Sequence, residues 1–473
     1  MSGRHPSPQS APATPPPPAG PSARETGWLP DFVYAGDKFE AGVAFFADDL
    51  GRITRFSREP ADLAAARRLS GQAALPGMVN GHSQAWRRVL RGRAGRAAPG
   101  ESSPLAHAAG RLGAADRYDA ARMAFTEMLL SGITCVGEFV TLERQPDGSP
   151  GPDPNGVTAA ILRAARDTGV RLALFKVAAA RAGPGPADPV LSRTLTPSPD
   201  QFLRETDALR ESVARDFPGD SVWVGAGAYS LAALPLDYLK AVAAYAHAQR
   251  LRLQVPLSER PADNEACLAE HGRTPVALLS EHGLVDKRFT AVHAHQLTEN
   301  EVGLLGAARA TVCQCPGASR HGDAGGTPPD RILAAGAGLA LGTGAHHQAN
   351  LLEGARLLAP RLRAGRDDSA ATAALWQAAT AAGARCLGAP SGALEVGRPA
   401  DFFTVALFDP AMAGSGPDAL LGTIVESLER RGVRDVWVGA RQVVVSGRHP
   451  LQGAIVSRFV ELQQRLWGGA PAV

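Results

Sequence analysis

An α/β fold, a TIM-type (β/α)8 barrel carrying a small β-domain made from its two flanks, is what this sequence predicts, on three observations. Eight short apolar runs recur between about residues 75 and 365, separated by longer segments whose apolar residues stand three and four apart. Runs that are apolar throughout, rather than at alternate positions, suit parallel strands buried on both faces. Outside that region the apolar residues alternate with polar ones between turn signals, as in half-exposed strands. A doubly wound open sheet also alternates strands with helices, but no glycine-rich phosphate loop follows the first run.

In chain order the runs are LPGMVNGH (75–82), ITCVGEFV (133–140), VRLALFKV (170–177), SVWVGAGA (221–228), RLRLQVPL (250–257), RFTAVHAH (288–295), RATVCQC (309–315) and AGLALGT (337–343). Helical spacing is clearest in DAARMAFTEMLL (119–130), GVTAAILRAARDTG (156–169), LDYLKAVAAYAHAQ (236–249) and NEACLAEHGRTPVALLSEHG (264–283). The barrel is therefore expected over 75–389. The small β-domain is expected to join 28–74 with 390–450, which hold FVYAGD, VAFFADDLGRI, SGALEVGRPADFFTVAL and VRDVWVGARQVVVSG. ALWQAATAAGARCLG (374–388) reads as one helix, and VSRFVELQQRLW (456–467) as a C-terminal helix within 451–473. Residues 1–27, rich in Pro, Ser and Ala, read as a disordered tail without a secretion signal's apolar core.

Composition narrows the partners. An apolar fraction of 45% and a charged fraction of 20% are those of a soluble globular protein. Basic and acidic residues nearly balance, 49 against 46, without a run of like charge, which argues against a nucleic-acid partner. No stretch approaches the ~18 apolar residues of a membrane span. Five cysteines in 473 residues make no disulfide framework, so reduced thiols and a cytoplasmic location are expected. Lysine occurs at positions 38, 176, 240 and 287 only, so single arginines carry little functional weight. The expected partner is a small-molecule ligand or substrate.

Chemistry in such a barrel gathers at the C-terminal ends of the strands. Standing there are His82 and Gln84, Glu138, Tyr229, Pro256 and Glu259, His293 and His295, Cys313 and Cys315, then Gly344 with His346 and His347. His82 and Gln84 occupy a pair of positions where a metal enzyme often places two histidines. Cys313-x-Cys315 lacks the two-residue gap of zinc knuckles, and the adjacent His346 and His347 point in different directions, so a replacement metal site there is not expected.

PGMVNGHSQ (76–84) resembles the signature that opens the barrel in metal-dependent amidohydrolases, and GALEVGRPADFFTV (392–405) resembles that superfamily's C-terminal β-domain motif. Within it the chain is most similar to the formimidoylglutamate deiminases. That likeness is carried by GITCVGEF, by VPLSERPADNEACLAEHGRTPVALL, by VHAHQLT and by VRDVWVGARQVVVSGRHPL, and extends over about residues 30–465.

The resemblance implies hydrolysis of an amidine-like C–N bond with release of ammonia, at a mononuclear zinc. A His-x-His pair, a strand-five histidine and a strand-eight aspartate hold the metal in that family. An open zinc site lowers the pKa of bound water from 15.7 to about 7. A glutamate shuttles the proton and a strand-six histidine polarises the electrophile.

Carried over position by position, His82 matches the first ligand. Gln84, Pro256 and Gly344 stand at the other three ligand positions. Glu259 matches the proton shuttle and His293 the strand-six histidine, while His346 follows Gly344 as in the family. A complete zinc site is worth roughly 10–16 kcal/mol over about four ligands, and one imidazole with a weak amide oxygen falls far short. Zinc is thus expected only if the family site is retained through other donors.

The substrate side differs too. Tyr229, Ser230, Leu231 and Ala232 replace the stretch that places an arginine on a substrate carboxylate. Thr141 replaces a tyrosine and Arg87 a glutamine. The expected pocket comprises Arg87, Glu138, Thr141, Tyr229 and His346. The lid region, RAAPGESSPLAHAAGRLGAA (96–115), has no Trp or Tyr. Three readings follow: a barrel without metal catalysis that binds a ligand or partner; an enzyme using Glu259 and His293 for metal-free acid–base chemistry; and a metal-dependent hydrolase with other ligands. The resemblance also suggests a homodimer.

Overall fold

The structure, a computed structural model, describes residues 25–93, 103–147, 149, 153–181, 189–317, 326–344 and 349–468. His346, His347 and nearly all of the expected tail lie outside that set.

Eight parallel strands form the barrel: β1 (Met78–Ser83), β2 (Ile133–Val140), β3 (Arg171–Ala178), β4 (Val222–Ala228), β5 (Leu253–Leu257), β6 (Phe289–His293), β7 (Thr311–Gln314) and β8 (Gly338–Leu341). They pair in sequence order, and a parallel bridge between Ser83 and Gly344 brings the last strand back to the first. Asn80, inside the opening motif, fastens this seam: its Nδ2 donates to Thr343 Oγ1 at 2.8 Å and its Oδ1 accepts from Thr343 N at 3.1 Å. Gly81 is required there by close approach, since a Cβ would stand 2.9 Å from Cys313 Sγ.

The interior is filled, as in other barrels of this size, by side chains from every other position. Val79, Phe139, Phe175, Val292, Cys313 and Ala340 meet on the axis. The helix Ala381–Leu387 runs past the N-terminal ends of the strands and adds Cys386 and Leu387 to that cluster.

Two expected helices are broken. Segment 374–388 forms the ends of two helices, Asp368–Ala379 and Ala381–Leu387, separated at Thr380 (φ −130°, ψ −97°). There the Thr380 hydroxyl turns back to Trp376 O at 2.7 Å, a bond that competes with the helical ladder. Segment 264–283 likewise divides into Pro261–His271 and Pro275–Glu281. Gly272 closes the first at φ +65°, and Pro275, lacking an N–H, can only begin a new one.

The second sheet unites both flanks. Its eight strands are Thr26–Ala35, Lys38–Ala41, Ala44–Ala47, Ile53–Ser57, Arg67–Pro76, Phe402–Ala406, Val433–Val438 and Arg441–Val444. Arg67–Pro76 pairs antiparallel with Phe402–Ala406, the register that joins the two halves. This sheet begins at Thr26 and runs to Pro76, slightly beyond the expected 28–74. Trp28, Phe45, Phe402 and Trp437 form its aromatic core, with Phe402 and Trp437 stacked at 4.3 Å. Asp401 ties the sheet to the barrel: its carboxylate takes a two-pronged bond from Arg171 (2.8 and 3.1 Å) and further bonds from Ser391 Oγ (2.6 Å) and Gly439 N (2.7 Å).

The C-terminal helix, Gln452–Trp467, packs Ile455, Phe459 and Leu462 against Trp86 and Val89, just after β1. Among the described residues no helix is long and apolar enough to cross a membrane.

Candidate active site at the barrel mouth

His82, the last residue but one of β1, is fully buried. Its Nδ1 lies 3.1 Å from Gln254 Oε1 on β5, and Gln254 Nε2 donates to Gly81 O at 2.8 Å. That second bond fixes which way the amide faces, so His82 Nδ1 carries the hydrogen and Nε2 is left as a bare acceptor. Nε2 has no hydrogen-bond partner, and neither has the buried Gln84 Oε1 nearby in sequence. Burial, followed by the charge of His293, pushes the His82 pKa down to about 3, so the ring is neutral.

His293 ends β6 in a left-handed conformation (φ +66°), followed by Ala294 (φ +49°). Ser258, just past β5, is left-handed too (φ +48°). Such conformations cost about 1–3 kcal/mol each in residues other than glycine and tend to cluster at functional sites. Here they turn the backbone so that His293 Nε2 and Glu259 Oε2 come to 4.0 Å. Burial opposes charge on His293, but the Glu259 carboxylate and the Cys315 sulfur beside the ring outweigh it and raise its pKa to about 9. The His293 charge in turn holds Glu259 below the usual carboxylate range, against the partial desolvation of its half-exposed side chain. Cys315 falls to about 6, first through its bond with Cys313 and then, against burial, through His293. The His82 and His293 rings stand 5.8 Å apart, and the Arg87 charge acts on His82, His293 and Glu259 alike.

Glu138 and Thr141 turn inward instead. Glu138 accepts from Ser83 Oγ and from Ala85 N (2.7 Å), and Thr141 Oγ1 accepts from Trp86 Nε1 (3.1 Å). Both hold the turn after β1. Burial raises Glu138 to about 7 against an ordinary 4.5. A carboxyl raised on folding holds its proton more tightly in the folded chain. Its contribution to stability is full below about pH 4.5 and is lost as pH rises through about 7. Urea unfolding of wild type should show a loss on the order of 2–3 kcal/mol from this group between about pH 4.5 and about pH 8. Glu138→Gln should flatten that part of the profile, and an unchanged slope would acquit Glu138.

Of the other expected residues, Pro256 lies within β5, paired with Val292, and Tyr229 follows β4 against the barrel-interior cluster. His295, two residues past His293, is buried, its ring 6.1 Å from that of His293. Gly344 takes φ +53°, its N–H bonded to His82 O at 3.1 Å. Two contributors escaped the sequence reading. Gln254 is a lone amide in an apolar strand, a signal that was present. The contact of Cys315 with His293 spans two strands and left no local trace.

A parallel barrel with His, Glu, Arg and Cys side chains converging at its strand C-termini defines a TIM-barrel protein. The chain belongs to the amidohydrolase family, whose model matches residues 73–444. It is 32% identical over 422 residues to a formimidoylglutamate deiminase of Pseudomonas aeruginosa, covering 86% of this chain and 92% of that one. A 5-methylthioadenosine/S-adenosylhomocysteine deaminase of Teredinibacter turnerae is 26% identical over 415 residues, covering 84% and 86%. In three dimensions the chain superposes on an amidohydrolase from Brucella melitensis with TM-score 0.83 (24% identity; 93% and 99% covered). It superposes on a zinc-bound adenosine deaminase from Xanthomonas campestris with TM-score 0.80 (21% identity; 95% and 100% covered). These two structural likenesses carry the fold alone.

Proposed function

We infer that this amidohydrolase-family barrel has exchanged metal-hydroxide chemistry for metal-free proton transfer on a small molecule, with Glu259 and His293 as the working pair. The observation that carries the reading is the 4.0 Å approach of Glu259 to His293 at a strained pair of strand ends, beside ligand positions that lack donors. Zinc favours four donors drawn from Cys, His and carboxylates. Here the family positions supply one neutral imidazole, one amide oxygen, and, at Pro256 and Gly344, no side-chain donor. Among the described residues no group of three or more His, Cys, Asp or Glu is arranged to hold an ion. The donor set does not fit the metal.

The protonated His293 ring donates a proton or polarises an electrophilic atom, while the ionised Glu259 carboxylate accepts one. Arg87 supplies a positive charge to seat an acidic substrate group, in place of the family's strand-four arginine. Acid–base assistance is worth about 10²–10⁴-fold, far less than a metal-bound hydroxide offers against a stable amidine. The reading therefore favours substrates activated toward proton transfer over formimidoylglutamate. Incubation of purified protein with formimidoylglutamate and a panel of small acidic amides, imines and enolisable acids tests it. A turnover that survives chelator is expected, with no ammonia from formimidoylglutamate.

One competing reading has an observation of its own. His82 Nε2 and Gln84 Oε1 are two buried acceptors without partners. A divalent ion held by them with donors outside the family set would satisfy both, and ammonia release abolished by chelator would favour that reading.

A further inference from the structure

A cleft of about 720 Å³ lies at the end of the barrel opposite the mouth. It opens among the N-terminal ends of β5–β8 and is lined by Arg252, Lys287, Arg288, Arg309, Arg366 and Arg385, with no carboxylate in its wall. Acids and bases are nearly equal in number in this chain, so a wall of six cations without an acid departs from the bulk composition, whatever the general preference for arginine.

None of the six forms an ion pair with a carboxylate among the described residues. Three acids near them in sequence have other partners as well, although the Asp286 charge also acts on Arg252. Asp286 accepts from Arg288 N at 2.7 Å and faces His247; Asp367 caps a helix at Ala370 N (2.8 Å); Asp368 pairs with Arg363 at 3.0 Å. Arg252 and Arg288 each give one donor to a backbone carbonyl, of Lys287 (2.9 Å) and His247 (3.3 Å), and Arg366 Nε is buried with no partner. Each guanidinium carries five donors in a fork that matches phosphate oxygens. Like charges gathered in one cleft repel one another, and an anion reverses the sign of that interaction.

We propose that this cleft is a second binding site, for a small anion bearing a pyrophosphate group. The volume falls within the roughly 300–1,000 Å³ of ligand sites, enough for pyrophosphate alone or for a nucleoside diphosphate. Leu333 and Leu339 also line the cleft and offer apolar surface to a non-polar portion. Several arginines reach several phosphate oxygens at once, which favours a diphosphate over a single phosphate. This site is separate from the barrel mouth and stands or falls independently of the chemistry there.

Calorimetric titration of the full chain with inorganic pyrophosphate, and separately with ADP, at low ionic strength tests the assignment. Binding near one ligand per chain is expected, weakening steeply as salt is added because the contacts are ionic. In the double variant Arg309→Ser/Arg385→Ser, both at exposed positions, affinity should fall at least about tenfold, roughly 1.4 kcal/mol, with the melting temperature unchanged. Tighter binding of ADP identifies a nucleotide as the source of the diphosphate, and equal or weaker binding identifies inorganic pyrophosphate. Absence of binding by either ligand, or affinities untouched by the double variant, would overturn the proposal.

Discussion

Asp401→Ala should lower the unfolding free energy of the chain by about 3–5 kcal/mol, the range for removing one partner of a buried, hydrogen-bonded ion pair. Asp401 is 1% exposed and Arg171 3%, and the carboxylate gathers bonds from Arg171, Ser391 and Gly439 at once. Without it, the guanidinium keeps Asp220 (2.6 Å) as its partner among the described residues, and the sheet loses a buried polar tie to the start of β3. Asp401→Asn, which keeps the shape and one acceptor, should lose less. Urea unfolding reads both variants, and a loss for the alanine below about 1 kcal/mol would show that the joint rests on apolar packing instead.

Glu259→Gln and His293→Ala should each reduce the chelator-resistant turnover found with the substrate panel by about 10²–10⁴-fold. Because the two residues act as a pair, the double variant should be little worse than the worse single one. The folded state should tolerate the first change well, since the Glu259 side chain is 43% exposed. Turnover that persists in both variants would remove the pair from the chemistry and leave the mouth as a binding site.

Much of the fold was legible because its signals are local. Apolar runs such as ITCVGEFV and VRLALFKV became β2 and β3 within a residue or two, and the alternating flanks became one sheet. The helix breaks at Thr380 and at Gly272–Pro275 were harder, because apolar spacing continues across both and only the backbone geometry interrupts it. At the site, strand order and the parallel pairing of β5 with β6 bring Glu259 and His293 to neighbouring strand ends. Register does not say which way a side chain turns. Glu138 and Thr141 were expected in the pocket and instead brace the turn after β1. Nor does register say which atoms of His82 find partners. One ring nitrogen is satisfied by Gln254, while the other is bare, a distinction that depends on an amide 172 positions away.

Elemental analysis bears most directly on the central claim, that the barrel mouth lacks the donors to hold a divalent ion. The protein would be loaded with excess zinc, freed of unbound metal by gel filtration, and assayed beside the variant Gln84→His/Pro256→His/Gly344→Asp. The account predicts far less than one zinc per chain in the wild type and close to one in the variant. Stoichiometric zinc in the wild type, lost from a His82→Ala variant, would contradict it.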